Sequence, residues 1–201
     1  MYPEIPIKKL NGKELFKNTG GKEISIYDFW QYGFSDIYTN IIRGIVAEFI
    51  VENALREPNE IRCRNSWGDC DIILDDGTKI EVKCSSFLQA WPQNILSVPT
   101  FTGLKAKSLY WSDAVKKFVQ DEEPDYKADI YVFALINQKD QDRLDLLDLG
   151  QWCFYVLTKE RLREITKDGS SISLTKLRKD KVKSVQFIDL RSEITKLITS
   201  L

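Results

Sequence analysis

Ala128 to Ile136 reads "ADIYVFALI", a nearly continuous apolar run. A strand with one wet face alternates, whereas a run apolar on both faces needs cover on both sides. "WCFYVLT", Trp152 to Thr158, is of the same kind and is read as its neighbour, leading into a helix from Lys159. Two such strands require a sheet with helices packed against it, so the expected class is α/β with a mixed central sheet flanked by helices. With 201 residues the chain is long enough for one well-buried domain and short for two. No repeat, linker or low-complexity segment divides it. One domain, 1–201, is expected, with a polar N-terminal arm over 1–24.

Helical patterns supply the cover. "SIYDFWQYG" predicts a short helix capped by Ser25, with Gly33 near its end. Ser35 offers an N-cap for "SDIYTNIIRGIVAEFIVENALRE", the longest helical pattern. Being apolar on most sides, that helix is expected to pack inside the fold. "LRSEITKLITSL" predicts an amphipathic terminal helix. Trp111, Trp152 and Tyr155 are expected in the core. "QAWPQNILSVPTFTGLKAKSLYW", rich in proline and aromatics, carries no assignable pattern.

Composition narrows the chemistry. The chain has no histidine, which removes imidazole bases, catalytic triads and histidine-ligated zinc. Cys63, Cys70, Cys84 and Cys153 show neither CxxC pairing nor zinc-like spacing, so they read as free thiols. Acid–base or metal chemistry must therefore use carboxylates, lysine or tyrosine. The start lacks the apolar segment of a signal peptide, and no run approaches the roughly 18 apolar residues of a membrane span, so a cytoplasmic protein without a membrane partner is expected. Net charge is −1, but Lys159–Lys183 holds nine Lys or Arg against four Asp or Glu. Such a stretch is compatible with a phosphate backbone, though a solvated helix face gives the same counts more often.

The chemistry concentrates in "WGDCDIILDDGTKIEVKCSS", Trp67 to Ser86. "LDDGT" fits a three-residue hairpin loop with glycine in the left-handed position. Leu74 then pairs with Thr78, Asp71 lies opposite Glu81, and Asp69 lies opposite Lys83. Alternation puts Cys70, Ile72, Leu74, Thr78, Ile80, Val82 and Cys84 on a core face. The other face, almost entirely ionic, carries Asp69, Asp71, Ile73, Lys79, Glu81 and Lys83. Two opposed carboxylates repel unless a cation separates them. Lys79 or Lys83 supplies one; a hard divalent cation, favouring carboxylate and carbonyl oxygens, fits better. A solvated hairpin face remains the alternative.

Glu48 adds a third acid. Ile41, Glu48 and Leu55 are spaced by seven and lie along one helix line, so Glu48 interrupts an apolar stripe. A buried carboxylate needs a partner or a metal, unless it reaches water at the edge of the stripe. Arg43 projects from roughly the opposite side and is a poor local partner.

An acid on an early helix followed by Asp–x9–Glu–x–Lys across a hairpin resembles the PD-(D/E)XK nuclease superfamily. More narrowly, "NIIRGIVAEFIV" and "DCDIILDDGTKIEVKCSSFLQAW" resemble an uncharacterised bacterial branch of it. The resemblance spans Asn40–Trp91, and the chain's ExK occurs only at Glu81–Lys83. Cys70 stands where the naming proline would be.

The resemblance implies a restriction endonuclease-like core and Mg2+-dependent hydrolysis of phosphodiesters, with Mn2+ as substitute. Asp71, Glu81 and the Val82 carbonyl would bind the metal, and Glu48 would reach it directly or through water. Asp71, Glu81 and Lys83 would be catalytic. A lysine serves as base only with a lowered pKa, which carboxylate neighbours oppose, so Lys83 is assigned positioning and charge stabilisation. Gln89, six residues beyond Lys83, matches a glutamine often found there; Gln89, Arg43 and Trp91 are the candidate substrate contacts. The expected partner is nucleic acid, DNA first, in a restriction or defence setting, and such cutters often work as homodimers. Two other readings stay open: a catalytically silent nucleic-acid- or partner-binding module of the same fold, and an unrelated α/β protein with a charged hairpin.

Overall fold

The computed structural model describes residues 5–60, 62–65, 68–112 and 114–201; Trp67, which begins the hairpin stretch, and the first four residues of the arm lie outside these. In chain order the elements are α1 (Ile26–Phe34), α2 (Asn40–Leu55), β1 (Ile72–Ile73), β2 (Lys79–Ser86), β3 (Thr100–Thr102), β4 (Leu109–Ser112), β5 (Lys117–Gln120), β6 (Ile130–Ile136), β7 (Trp152–Thr158), α3 (Lys159–Thr166), β8 (Ser171–Ser173), α4 (Leu174–Lys179), β9 (Ser184–Val185) and α5 (Phe187–Ile198).

The two apolar runs are the centre of a five-stranded sheet in the order β1-β2-β6-β7-β9. β6 is buried along its whole length and pairs antiparallel with β7, Ile130 opposite Thr158 and Ile136 opposite Trp152. β2 joins β6 in parallel, so the sheet is mixed. Alternation sorts the side chains into two cores. On one face Ile80, Val82, Ile130, Val132, Ala134, Trp152 and Phe154 pack with Ala47, Ile50 and Val51 of α2 and Leu190 and Ile194 of α5. On the other, Tyr131, Phe133, Leu135, Tyr155 and Leu157 pack with Phe101, Leu162 and Ile165 of α3, Ile172, and Leu174 and Leu177 of α4. The fold is thus a mixed α/β sandwich. Among the described residues no helix is long and apolar enough to cross a membrane.

Several local expectations need correction. Ser25 does cap α1, in a reciprocal pair with Asp28. Ser35, however, ends α1; α2 starts after Thr39, because Ile37 N–H bonds Ser35 O and Asp36 takes the Tyr38 N–H in an intervening turn. α2 buries one stripe only: it lies on a single sheet face, and Ile41 is 79% exposed and Phe49 57%. The supposed apolar line through Ile41 is therefore not a buried one. Trp111 is not core; it sits on the β4–β5 hairpin, half out of the protein, edge-on to Phe118. Trp152 and Tyr155 are buried as expected. The unassigned segment supplies β3, which pairs with β8, and begins the β4–β5 hairpin.

Candidate functional site

The hairpin turn forms as its glycine requires. Gly77 has φ +89°, its N–H bonds Leu74 O at 3.1 Å, and Leu74 N–H bonds Thr78 O at 3.0 Å. Ile72 faces Ile80 and Ile73 faces Lys79, the register the turn predicts.

The ladder then stops. Asp71 N–H turns back to Ile80 O at 3.2 Å, and the Asp71 carboxylate accepts the Val82 N–H at 2.8 Å. A side chain thereby replaces a backbone carbonyl as the acceptor on the edge of β2. Because a residue's N–H and C=O point to the same side of a strand, the Val82 carbonyl faces this edge as well. The break also corrects two placements. Cys70 packs with Phe101 and Tyr131, on the face opposite Ile72, because strand alternation ends upstream of Ile72. Asp69, expected opposite Lys83, is exposed beyond the paired residues.

Glu81 and Lys83 alternate with Ile80 and Val82 and lie on the sheet face of Tyr131 and Phe133, their partners on β6. This ionic face is occluded. The side chains of Glu48, Asp71 and Glu81 are 15, 16 and 17% exposed, and that of Lys83 is 24%. Lys83 Nζ bonds Glu81 Oε1 at 2.5 Å and lies 3.8 Å from where a Cβ on Gly103, just past β3, would sit.

Glu48 enters from α2, where Ala47, Ile50 and Val51 fix the helix against the sheet. Both its oxygens are taken by Arg64: Nε donates to Oε2, and Nη2 donates to Oε1 at 2.9 Å. The same Nη2 lies 3.9 Å from Asp71 Oδ1. Arg64 is the site residue that motif reasoning misses. Charge accounting is the signal that finds it, since three occluded acids call for more than one cation and Arg64 stands seven residues before Asp71.

Electrostatics follow from this crowding. Burial, with Glu81 and Glu48 nearby, pushes Asp71 up to about 7, against the pull of the Val82 N–H and Lys83. Burial also raises Glu81, while Lys83 pulls it down. The hydrogen bonds to Glu48 raise Arg64 further. Hard oxygen donors under mutual repulsion match a divalent cation in kind. In position each acid is turned onto its own donor, and among the described residues no three His, Cys, Asp or Glu side chains converge as a metal-ligand group.

Glu48, Asp71, Glu81 and Lys83 are thus brought together at the edge where β1 leaves β2. The three candidate substrate contacts are not with them. Arg43 is buried, 5% exposed, donating to Leu88 O at 2.9 Å and to Gln89 Oε1 at 3.0 Å. Gln89 also donates to Ser86 O at 3.1 Å, so both ends of its amide are engaged. The pair lines a cleft of about 300 Å³ beyond the C-terminal end of β2. Trp91, further on, is 55% exposed. The thiols hold no disulfide among themselves, and burial pushes Cys70 up to about 11. Beside the acids, a cavity of about 670 Å³ runs between α2 and residues 62–65, walled by Ile45, Phe49, Ile72 and Ile73 and reaching Glu48, Arg64 and Asp71. Comparison with protein-family models, with curated proteins and with solved structures returned no match to this chain.

Proposed function

We propose that this chain is a metal-dependent phosphodiesterase of the PD-(D/E)XK type, a nuclease with DNA as its first candidate substrate, and that its sheet and helices form a restriction endonuclease-like core. One observation carries the proposal. Asp71 and Glu81-x-Lys83 are gathered with Glu48 at an open sheet edge, occluded and so crowded that Asp71 stands near 7. A solvated charged face would leave its acids exposed and near their ordinary values.

Asp71, Glu81, the Val82 carbonyl and Glu48 are the groups that would hold Mg2+ or Mn2+. A divalent ion there supplies Lewis acidity toward a phosphate and toward water. The chain's own contribution is positional. Asp71 is fixed by the Val82 N–H, Glu81 by its place in β2, and Lys83 brings an ammonium to the same face, where it can neutralise charge on a phosphate.

A second reading has its own support. Each acid has an internal donor, and among the described residues no three acids converge as a metal-ligand group, which suits a silent binding module of the same fold. Mn2+ titration of the wild type and Glu81→Ala, scored beside plasmid nicking, separates the two. Saturable binding and nicking, both lost with Glu81, support the nuclease; a folded wild type that neither binds nor cuts leaves the binding module.

A further inference from the structure

We propose that Arg64 is the resident counter-cation of the carboxylate cluster, and that the site takes a divalent ion only by exchanging it for the Arg64 guanidinium. This inference rests on the metal-binding reading above.

The three acids are not held alike. Asp71 engages Val82 through Oδ2, and its Oδ1 faces Arg64. Glu81 engages Lys83 through Oε1. Glu48 has both oxygens hydrogen-bonded, and both by Arg64. A guanidinium donating through two nitrogens to one carboxylate is a strong, directional pair, and it occupies the side of Glu48 that a metal would need. Arg64 also faces Asp71, so it stands between two of the four groups assigned to the ion.

Charge balance points the same way. Three carboxylates against Arg64 and Lys83 leave one unbalanced negative charge in an occluded place. Replacing the single charge of Arg64 by a divalent ion closes that balance. The guanidinium has somewhere to go. Its side chain is 41% exposed, it belongs to the segment before β1 rather than to the sheet, and it lines the 670 Å³ cavity beside α2. Lys83 differs, because it is carried by a central stretch of β2 and lies under Gly103.

The test is Mn2+ binding followed by the electron paramagnetic resonance of the free ion, in wild type, Arg64→Gln and Arg64→Lys. Exchange predicts that Arg64→Gln binds Mn2+ about tenfold tighter or more, with Arg64→Lys between it and wild type, since a competing unit charge at hydrogen-bonding distance is removed. Equal or weaker binding in a folded Arg64→Gln overturns the exchange while leaving the metal reading in place. Absence of Mn2+ binding from wild type and variants alike removes the metal reading, and this inference with it. A measurement on wild type covers a variant that fails to fold. The Arg64 Nε–H resonance, held by Glu48, should shift and exchange faster on saturation with Mg2+; an unchanged resonance at saturation overturns the exchange.

Discussion

Asp71 Oδ2 accepts the backbone N–H of Val82 at 2.8 Å, across the edge where β1 stops pairing with β2. The acid thereby completes the strand edge that β1 abandons and, in doing so, is held among Glu48, Glu81 and Lys83. Its structural bond and its electrostatic strain come from one placement. Moving the carboxylate to water would relieve the strain but leave the Val82 N–H without this acceptor.

The strain has a pH signature. Asp71 stands at about 7 in the fold against an ordinary 3.8, so the native state holds its proton more tightly than the unfolded chain. A raised carboxylate contributes stability that is fully present below 3.8 and is lost as pH rises through about 7. Asn at this position keeps an oxygen acceptor for Val82 without the charge. The stability of Asp71→Asn relative to wild type is therefore expected to climb from near zero at pH 4 to on the order of a few kcal/mol at pH 8. Urea unfolding of both proteins across that range checks it. Taking the difference cancels acids such as Asp75 and Asp121, whose lowered values give slopes of the opposite sign. A flat difference would show that Asp71 ionises normally.

Arg43 is expected to act on stability before it acts on any substrate. Its guanidinium ties α2 to Leu88 O and Gln89 from a buried position. Arg43→Ala removes the donors to a buried carbonyl and leaves a cavity, which costs about 2–4 kcal/mol. Arg43→Lys should recover little, because one ammonium cannot reproduce a planar guanidinium whose two terminal nitrogens bond three separate acceptors, Leu88 O, Asn40 Oδ1 and Gln89 Oε1. Chemical denaturation decides this. A change below about 0.5 kcal/mol, within the range of surface substitutions, would return Arg43 to the list of substrate contacts.

The sheet was legible because its signal is redundant. Ile130–Ile136 and Trp152–Leu157 are apolar at every position, so no slip of register disguises them, and both lie in buried strands. The turn was legible because Gly77 at φ +89° leaves few alternatives. What failed was extrapolation of local order. Alternation carried back past Ile72 misplaces Cys70 and Asp69, because nothing in the residues marks where a ladder ends. Apolar content misjudged α2, since Ile41 and Phe49 read as core until the number of layers is known. The role of Arg64 is not written in the sequence for a similar reason. It bonds Glu48 sixteen residues away in sequence, and no spacing rule links a helix to the segment that folds across it.

Lys83 and Glu81 share a hydrogen bond but should divide the work, and separating them tests the nuclease reading most sharply. Glu81 is an oxygen donor on the β2 edge, so Glu81→Gln is expected to lose both Mn2+ binding and nicking. Lys83 offers no metal ligand while protonated, and its ammonium repels a divalent ion. Lys83→Met should keep Mn2+ binding while lowering nicking about 100-fold or more, the scale of losing one charge-stabilising donor. It should also move the pH needed for metal binding upward. Lys83 is what pulls Glu81 down against its burial, and without it Glu81 ionises at higher pH. Metal titrations at several pH values, run beside plasmid nicking, separate the effects. Nicking that survives in Lys83→Met would reduce the lysine to a counter-ion of Glu81. Metal binding lost in Lys83→Met at every pH would make it a structural support of the site. Either result breaks the division of roles that a phosphodiesterase centre requires here.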